Sequence, residues 1–443
     1  MPSDEDGSAG TIAAIATPPG RGGVGVLRVS GPRVPEIAAR VAGGLPAPRM
    51  ARLRDFKDAS GESIDRGLVL FFPAPGSYTG EPVLELQGHG GPVVMGALLS
   101  AVLDAGARLA EPGEFTRRAF LNGRLDLAQA EAVADLIDAA SREAARSAAR
   151  SLRGEFSSAV EGLVEQVTEL RALVEATLDF PEEEVDPLHH EDAVARLKAA
   201  QGSLEDVLAR SRQGSLLRAG IHVVLAGRPN VGKSSLLNRL AGEERAIVTP
   251  MPGTTRDAIR EAIQIGGVPL VVVDTAGLRV SEDPVEKLGM ERSRREIGQA
   301  DLVLSIASAD DPDAVAPDLP AGIEVLKIVN KADLRPGREG VDQEGRIWVS
   351  ARTGAGWRAL EAGILRAAGW RSAGETVFLA RERHLRALEL ARDHLFAAAR
   401  QTAAWEFFAE ELRKAQDALG DITGRVSSDD LLGEIFSRFC IGK

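Results

Sequence analysis

The sequence predicts a multidomain chain: an N-terminal α+β domain, then a discontinuous helical bundle into which a separate α/β block is inserted. Three observations carry this. Short apolar runs between glycine and proline turns fill residues 11–124. Alanine- and glutamate-rich stretches with helical apolar spacing stand on both sides of residues 220–369. Within 220–369, strand-like runs alternate with helix-like ones around a glycine-rich loop. The expected boundaries are therefore 1–124, 125–219, 220–369 and 370–443.

In the first domain, Val24 to Val29, Leu68 to Phe72 and Val83 to Leu86 read as strands. The texture changes near Asp126. From there to Asp179 there is no proline, and Phe156, Val160, Leu163, Val167, Leu170 and Val174 alternate spacings of four and three. That is a helical seam of coiled-coil period. The run DFPEEEVDP (Asp179–Pro187) breaks it with prolines and like charges. A second helical stretch sets Val194, Leu197, Leu204 and Val207 on one face. Helical spacing resumes from Arg381 to about Leu419 and continues to the C-terminus. Taken alone, these stretches form a helical bundle with no chemistry of its own.

The totals exclude several classes. The chain has 443 residues, too many for one core, with 44% hydrophobic and 27% charged residues. No apolar run reaches the ~18 residues of a membrane span, and the acidic start MPSDEDGSAG lacks the pattern of a secretory or transit segment. The lone cysteine, Cys440, leaves no internal disulfide. A cytoplasmic location with no membrane partner is expected. A net charge of −12 argues against a uniformly basic surface that coats nucleic acid.

The inserted block carries the chemistry. The strand HVVLAG (His222–Gly227) runs through GRPNVGKS (Gly227–Ser234) into the helix SLLNRL, which is the order a phosphate loop requires. Gly227 and Gly232 let the backbone N–H groups of Asn230, Val231, Gly232, Lys233, Ser234 and Ser235 wrap phosphates. Lys233 brings a cation to the β- and γ-phosphates, and Ser234 offers magnesium a hydroxyl at a helix N-terminus. PLVVVDTAG ends in Asp274, placed to hold magnesium through water, followed by Thr275, Ala276 and Gly277, whose N–H can reach the γ-phosphate. The loop TPMPGTTRD supplies Thr249, Pro250, Met251, Pro252, Gly253, Thr254 and Thr255, the last as the switch threonine that completes the magnesium shell. NKAD follows the strand EVLKIV, with Asn330, Lys331 and Asp333; the Asp333 carboxylate can accept the paired N–H donors of guanine, which adenine lacks. Ser350 and Ala351 of VSA complete the base loop. The block reads as a Ras-like P-loop GTPase domain, expected to bind GTP and GDP.

The position after the DTAG glycine, where many GTPases hold a water-orienting glutamine, is Leu278. A leucine cannot orient water. Glu286 in SEDPVEKLG is either the carboxylate that replaces it or an ordinary surface glutamate.

These motifs stand beside three others: ATPPGRGGVGVLRVSG (Ala16–Gly31), VLELQGHGG (Val83–Gly91) with EPGEFTRRAFLNGRLDLAQAEAVADLI after it, and DLLGEIFSRFCIGK at the C-terminus. Together they resemble, over essentially the whole chain, the bacterial tRNA-modification GTPases of the MnmE (TrmE) family. The resemblance implies an N-terminal domain that binds a formyl- or methylene-tetrahydrofolate and makes a homodimer. It implies action on certain tRNAs, in a heterotetramer with an MnmG-type partner that uses FAD and NADH. The product is an aminomethyl or carboxymethylaminomethyl group on the wobble uridine. It also implies potassium-dependent pairing of G domains that stimulates hydrolysis, with Asn230, Thr249, Met251 and Thr254 as potassium ligands and Glu286 as the catalytic glutamate beside Lys233.

The resemblance places folate contacts on Arg28, Glu85 and Lys443, and on Arg124 where the family often has lysine. Glu85 lies between Leu84 and Leu86 and admits two readings unaided. It is a buried carboxylate that matches the adjacent N–H groups of a pterin, or a solvent-facing residue of an edge strand. Arg28 follows an apolar run and can pair with a carboxylate or with the pterin carbonyl. Leu431, Leu432, Ile435, Phe436, Phe439 and Ile441 predict a docked C-terminus that brings Cys440 to a pocket, as a nucleophile or as an inert buried thiol. The rival reading, a ribosome-assembly GTPase that binds RNA, needs the same G motifs but a basic RNA-binding module, and the flanks here are acidic helices and an α/β segment.

Overall fold

The computed structural model describes residues 10–179, 187–243, 263–274, 300–314, 322–371, 377–401, 404–425, 429–437, 439 and 442. The chain divides into two compact units, Met1–Ala134 with Gly420–Lys443, and Asp135–Leu419.

The first unit carries β1 (Ile12–Ile15), β2 (Gly22–Ser30), α1 (Val34–Ala42), β3 (Arg52–Lys57), β4 (Ser63–Phe72), β5 (Val83–Gly90), α2 (Pro92–Asp104), β6 (Arg108–Leu109), α3 (Glu114–Leu121) and the first turns of α4 (Leu127–Ile137). The sheet order is β3-β4-β5-β2-β1-β6, antiparallel except for β1 with β6. Alternation along β2 and β5 sends Leu27, Val29, Leu84 and Leu86 into one core with Phe56, Val69, Ile37, Val41, Leu98 and Val102. Arg28 and Glu85 therefore share the opposite face, directly across from each other in register. Because β5 lies between β4 and β2, Glu85 is on an interior strand and not an edge one.

The C-terminus is docked within this unit. Leu432, Ile435 and Phe436 of the terminal helix (Asp429–Ser437) and Phe439 pack with Leu127 and Ala130 of α4. At Gly442, with φ 100°, an added Cβ would stand 2.5 Å from the Ile15 carbonyl at the end of β1, so the chain approaches that strand more closely than a side chain permits. The side chains of Leu431, Ile441, Cys440 and Lys443 lie outside the described residues.

The second unit holds the helices α5 (Arg142–Leu152), α6 (Glu155–Asp179) and α7 (Pro187–Ala219), the inserted block, then α10 (Glu382–Ala398) and most of α11 (Trp405–Thr423); the terminal helix is α12. The seam residues Phe156, Val160, Leu163, Val167, Leu170 and Val174 are all buried. The region from Asp126 to Asp179 is three helices, since Ser141 caps α5 and Gly154 turns the chain between α5 and α6. Val194 is only half-buried and Ala193 takes its inward place on α7. The helical stretch from Arg381 to Leu419 is divided into α10 and α11, with the Arg400 and Gln401 N–H groups bonding back to the Ala397 and Ala398 carbonyls. Alanine is the best helix former, so propensity gave no sign of that break.

The inserted block consists of β7 (Ile221–Ala226), α8 (Lys233–Glu243), β8 (Ile263–Ile265), β9 (Val268–Asp274), β10 (Leu302–Ser308), β11 (Glu324–Asn330), β12 (Gly340–Val341), β13 (Ile347–Trp348) and α9 (Trp357–Ala367). Its sheet order is β12-β13-β11-β10-β7-β9-β8, with β13, β11, β10, β7 and β9 parallel. The block shares one core with the helices: Ala144, Ala148, Leu217 and Leu379 pack with Val223, Leu225, Leu270 and Leu304. The chain's entry into the block and its exit are pinned together. Arg218, at the end of α7, and Arg381, capping α10, both bond the carboxylate of Asp135, each at 2.9 Å. The β8–β9 hairpin touches the same region through Gln264, whose amide donates to the Ala140 carbonyl at 2.5 Å.

Candidate functional site

β9 and β10 flank β7 on opposite sides, so the chain reverses its direction across the sheet at β7. In such sheets the crevice beyond the carboxyl end of that strand takes the ligand. The loop Gly227–Gly232 lies there, and α8 begins at Lys233. Among the described residues three non-glycines have left-handed backbone, and two of them, Asn230 (φ 66°) and Lys331 (φ 64°), belong to this crevice. Such conformations cost about 1 kcal/mol or more and collect at ligand sites. Gly232 (φ 94°) has no room for a side chain, because a Cβ would come within 2.2 Å of Asn330 Nδ2.

Asn330 is 2% exposed and acts as a brace. Its Nδ2 donates to the Val231 carbonyl at 2.9 Å, and its Oδ1 accepts from the Ala351 N–H at 3.1 Å. One side chain thus joins the phosphate loop to the base loop. Lys233 Nζ donates to the Gly227 carbonyl at 2.7 Å and the Arg228 carbonyl at 3.1 Å, which holds the ammonium over the loop. Ser234 and Ser235 are exposed on the first turn of α8, where the helix dipole is positive. Asn230 is exposed, and no described residue is recorded bonding its side chain. At the base loop, Ser350 Oγ donates to Asp333 Oδ1 at 2.6 Å. That bond, with the Arg352 charge behind it, holds the Asp333 carboxyl below the usual carboxylate range.

The structure thus brings together Asn230, Val231, Gly232, Lys233, Ser234, Asn330, Lys331, Asp333, Ser350 and Ala351 on the loops that leave β7, β11 and β13. β9 pairs with β7 and ends at Asp274, opposite Leu225. Thr249, Pro250, Met251, Pro252, Gly253, Thr254, Thr255, Thr275, Ala276, Gly277, Leu278 and Glu286, and the Asp274 side chain, lie outside the described residues.

A second polar cluster sits on the first unit's sheet. Arg28 Nη2 and Nε donate to Glu85 Oε1 at 2.9 and 3.1 Å, and the two side chains are 23% and 17% exposed. The guanidinium carbon lies 5.5 Å from the Tyr78 ring and 5.8 Å from the Phe115 ring. Burial pushes the Tyr78 phenol up, against its bond with Thr116 and the nearby Arg28 charge. Both Arg28 donors reach the same Glu85 oxygen, Oε1. Arg124 is exposed beside the Gly80 turn, which leads into β5.

A family model described as the MnmE helical domain matches residues 127–440, and one described as the GTP-binding protein TrmE N-terminus matches residues 11–124. The chain belongs to the MnmE family. The tRNA modification GTPase MnmE of Ralstonia nicotianae is 58% identical over 458 residues, covering 98% of this chain and 96% of the relative. That of an Azoarcus species is 59% identical over 441 residues, covering 98% of each. That of Neisseria meningitidis is 56% identical over 442 residues, covering 98% of this chain and 99% of the relative.

Two residues of this MnmE-family site escape a sequence reading. Arg239 of α8 reaches from the phosphate side to the base loop, donating to the Ala351 carbonyl at 3.1 Å and the Arg352 carbonyl at 3.3 Å over the Trp357 ring. Arg352 ion-pairs with Asp333 at 2.6 Å. Both are arginines outside the motif letters, and only the folded contacts distinguish them from surface charges. Among the described residues no helix is long and apolar enough to cross a membrane.

Proposed function

We propose that this chain, a GTP-hydrolysing enzyme of the MnmE family, couples its GTP cycle to modification of the wobble uridine of certain tRNAs. It does so with an MnmG-type partner that carries FAD and uses NADH, adding a carboxymethylaminomethyl or aminomethyl group. The carbon comes from a formyl- or methylene-tetrahydrofolate. The observation that carries this reading is the presence, in one chain, of a guanine-type nucleotide crevice and a half-buried Arg28–Glu85 pair suited to a pterin.

The residues divide the work as follows. Lys233 neutralises the β- and γ-phosphates, and loop N–H groups cradle them. Ser234 and Thr255 would hold magnesium, with Asp274 behind a water; the exposed Ser234 hydroxyl at the start of α8 fits that use. The metal supplies charge neutralisation at the phosphates. Asn230, Thr249, Met251 and Thr254 would hold potassium, and the exposed Asn230 amide, which bonds no other described residue, fits a cation at the phosphate edge. Glu286 orients the attacking water in place of the glutamine that Leu278 displaces. Asp333, Ser350 and Ala351 select guanine. Glu85 accepts pterin N–H donors, Arg28 fixes the carboxylate, Arg124 and Lys443 anchor the rest of the folate, and Cys440 is the candidate nucleophile. The protein works in the cytoplasm as a homodimer, in a heterotetramer with its partner.

Mass spectrometry of tRNA nucleosides from cells lacking the protein tests this. The modified wobble uridines are expected to disappear and to return on complementation. Unchanged wobble uridines would overturn the reading, and ribosome precursors accumulating in their place would favour a ribosome-assembly GTPase.

A further inference from the structure

Each oxygen of Asp333 has a side-chain partner. Oδ1 accepts from Ser350 Oγ, and Oδ2 from Arg352 Nη2, each at 2.6 Å. The Asp333 side chain is 15% exposed, and that of Arg352 is 78% exposed. Guanine binds a carboxylate through N1–H and an exocyclic N–H, two donors on one N–C–N unit. A guanidinium presents the same unit with the same parallel donors. Arg352 sets one nitrogen of that unit on Asp333, so its tip and the base edge compete for Oδ2. The backbone under Arg352 is fixed, since Ala351 N–H bonds Asn330 and the Ala351 and Arg352 carbonyls accept from Arg239. Only the exposed side chain has to swing away.

We propose that Arg352 is a placeholder for guanine: it satisfies Asp333 in the nucleotide-free protein and must leave before the base docks. The inference rests on the reading of Asp333 as the guanine acceptor. Arg352 would then be a positioning residue that stabilises the empty site and sets how fast a guanine nucleotide enters.

Stopped-flow binding of a ribose-labelled fluorescent GDP to full-length Arg352→Ala tests it, with the melting temperature as a check on folding. Losing an exposed ion pair from the empty state should tighten GDP binding about two- to fivefold, through faster association with dissociation unchanged. Salt screens such pairs, so the ratio of variant to wild-type affinity should shrink towards one as ionic strength rises. Arg352→Lys, which keeps the charge but loses the planar fork, should fall between the two. Unchanged or weaker GDP binding by Arg352→Ala overturns the placeholder. Asp333→Asn separates this from a failure of the underlying reading. An amide offers one donor and one acceptor, which suits xanthine, whose carbonyl replaces the guanine amino group. If Asp333→Asn does not shift preference from GDP to XDP, Asp333 is not the guanine acceptor and the placeholder falls with it. If the preference shifts while Arg352→Ala leaves association unchanged, only the placeholder fails.

Discussion

Lys233→Ala is expected to weaken GTP binding about a hundredfold and, with it, to abolish tRNA modification. A charge-assisted contact to an ionised group contributes ~1.5–3 kcal/mol, and each 1.4 kcal/mol is tenfold in affinity. Lys233 supplies the cation at the start of α8, and the next residue in the loop able to bring a full positive charge, Arg228, ion-pairs with Asp311 at 3.1 Å. In the present structure the ammonium bonds the Gly227 and Arg228 carbonyls, so the substitution also removes two loop contacts. Titration of GTP into the variant, beside a thermal melt, distinguishes the two effects. Weak binding with an unchanged melting temperature assigns the loss to the phosphates. Wild-type affinity would remove Lys233 from the nucleotide site.

Glu286→Ala has the second large expected effect, and it separates from the first because it leaves affinity intact. A group that orients or deprotonates water contributes ~100-fold or more to a rate. Turnover should fall by about that factor, while GTP affinity stays within about twofold of wild type. The same signature, strong loss of hydrolysis at nearly constant affinity, is expected when sodium replaces potassium. A cation held beside Asn230 would meet charge that develops only as the bond breaks. Phosphate release measured in both salts, for wild type and for Glu286→Ala, checks both statements. A fully active variant would remove Glu286 from the mechanism, and equal rates in the two salts would remove potassium.

The phosphate-loop geometry was legible because its motif is local. β7 ends at Ala226, the loop begins at Gly227 and α8 begins at Lys233, so strand, loop and helix N-terminus follow one another in a few letters. The helical seam through Phe156 and Val174 was legible for a similar reason, since one face repeats within a single element. What the letters could not show depends on contacts across the chain. Glu85 reads equally as an edge residue or a buried acid until β5 is seen between β4 and β2 and Arg28 is found in register with it. Asn330 reads as a base contact in NKAD, yet its amide braces Val231 against Ala351, about 100 and 21 residues away. Arg239 and Arg352 carry no motif at all. The break between α10 and α11 falls in alanine-rich sequence, where propensity favours continuing the helix.

The measurement that tests the central claim most directly is wobble-uridine modification by the purified chain in potassium, with tRNA, a one-carbon folate and an MnmG-type partner. It is run once with GTP and once with a non-hydrolysable analogue. Modification is expected with GTP and not with the analogue, and GTP hydrolysis should persist when the partner is left out. Equal modification with the analogue would contradict a hydrolysis-driven cycle, and none in the complete mixture would contradict the assignment itself.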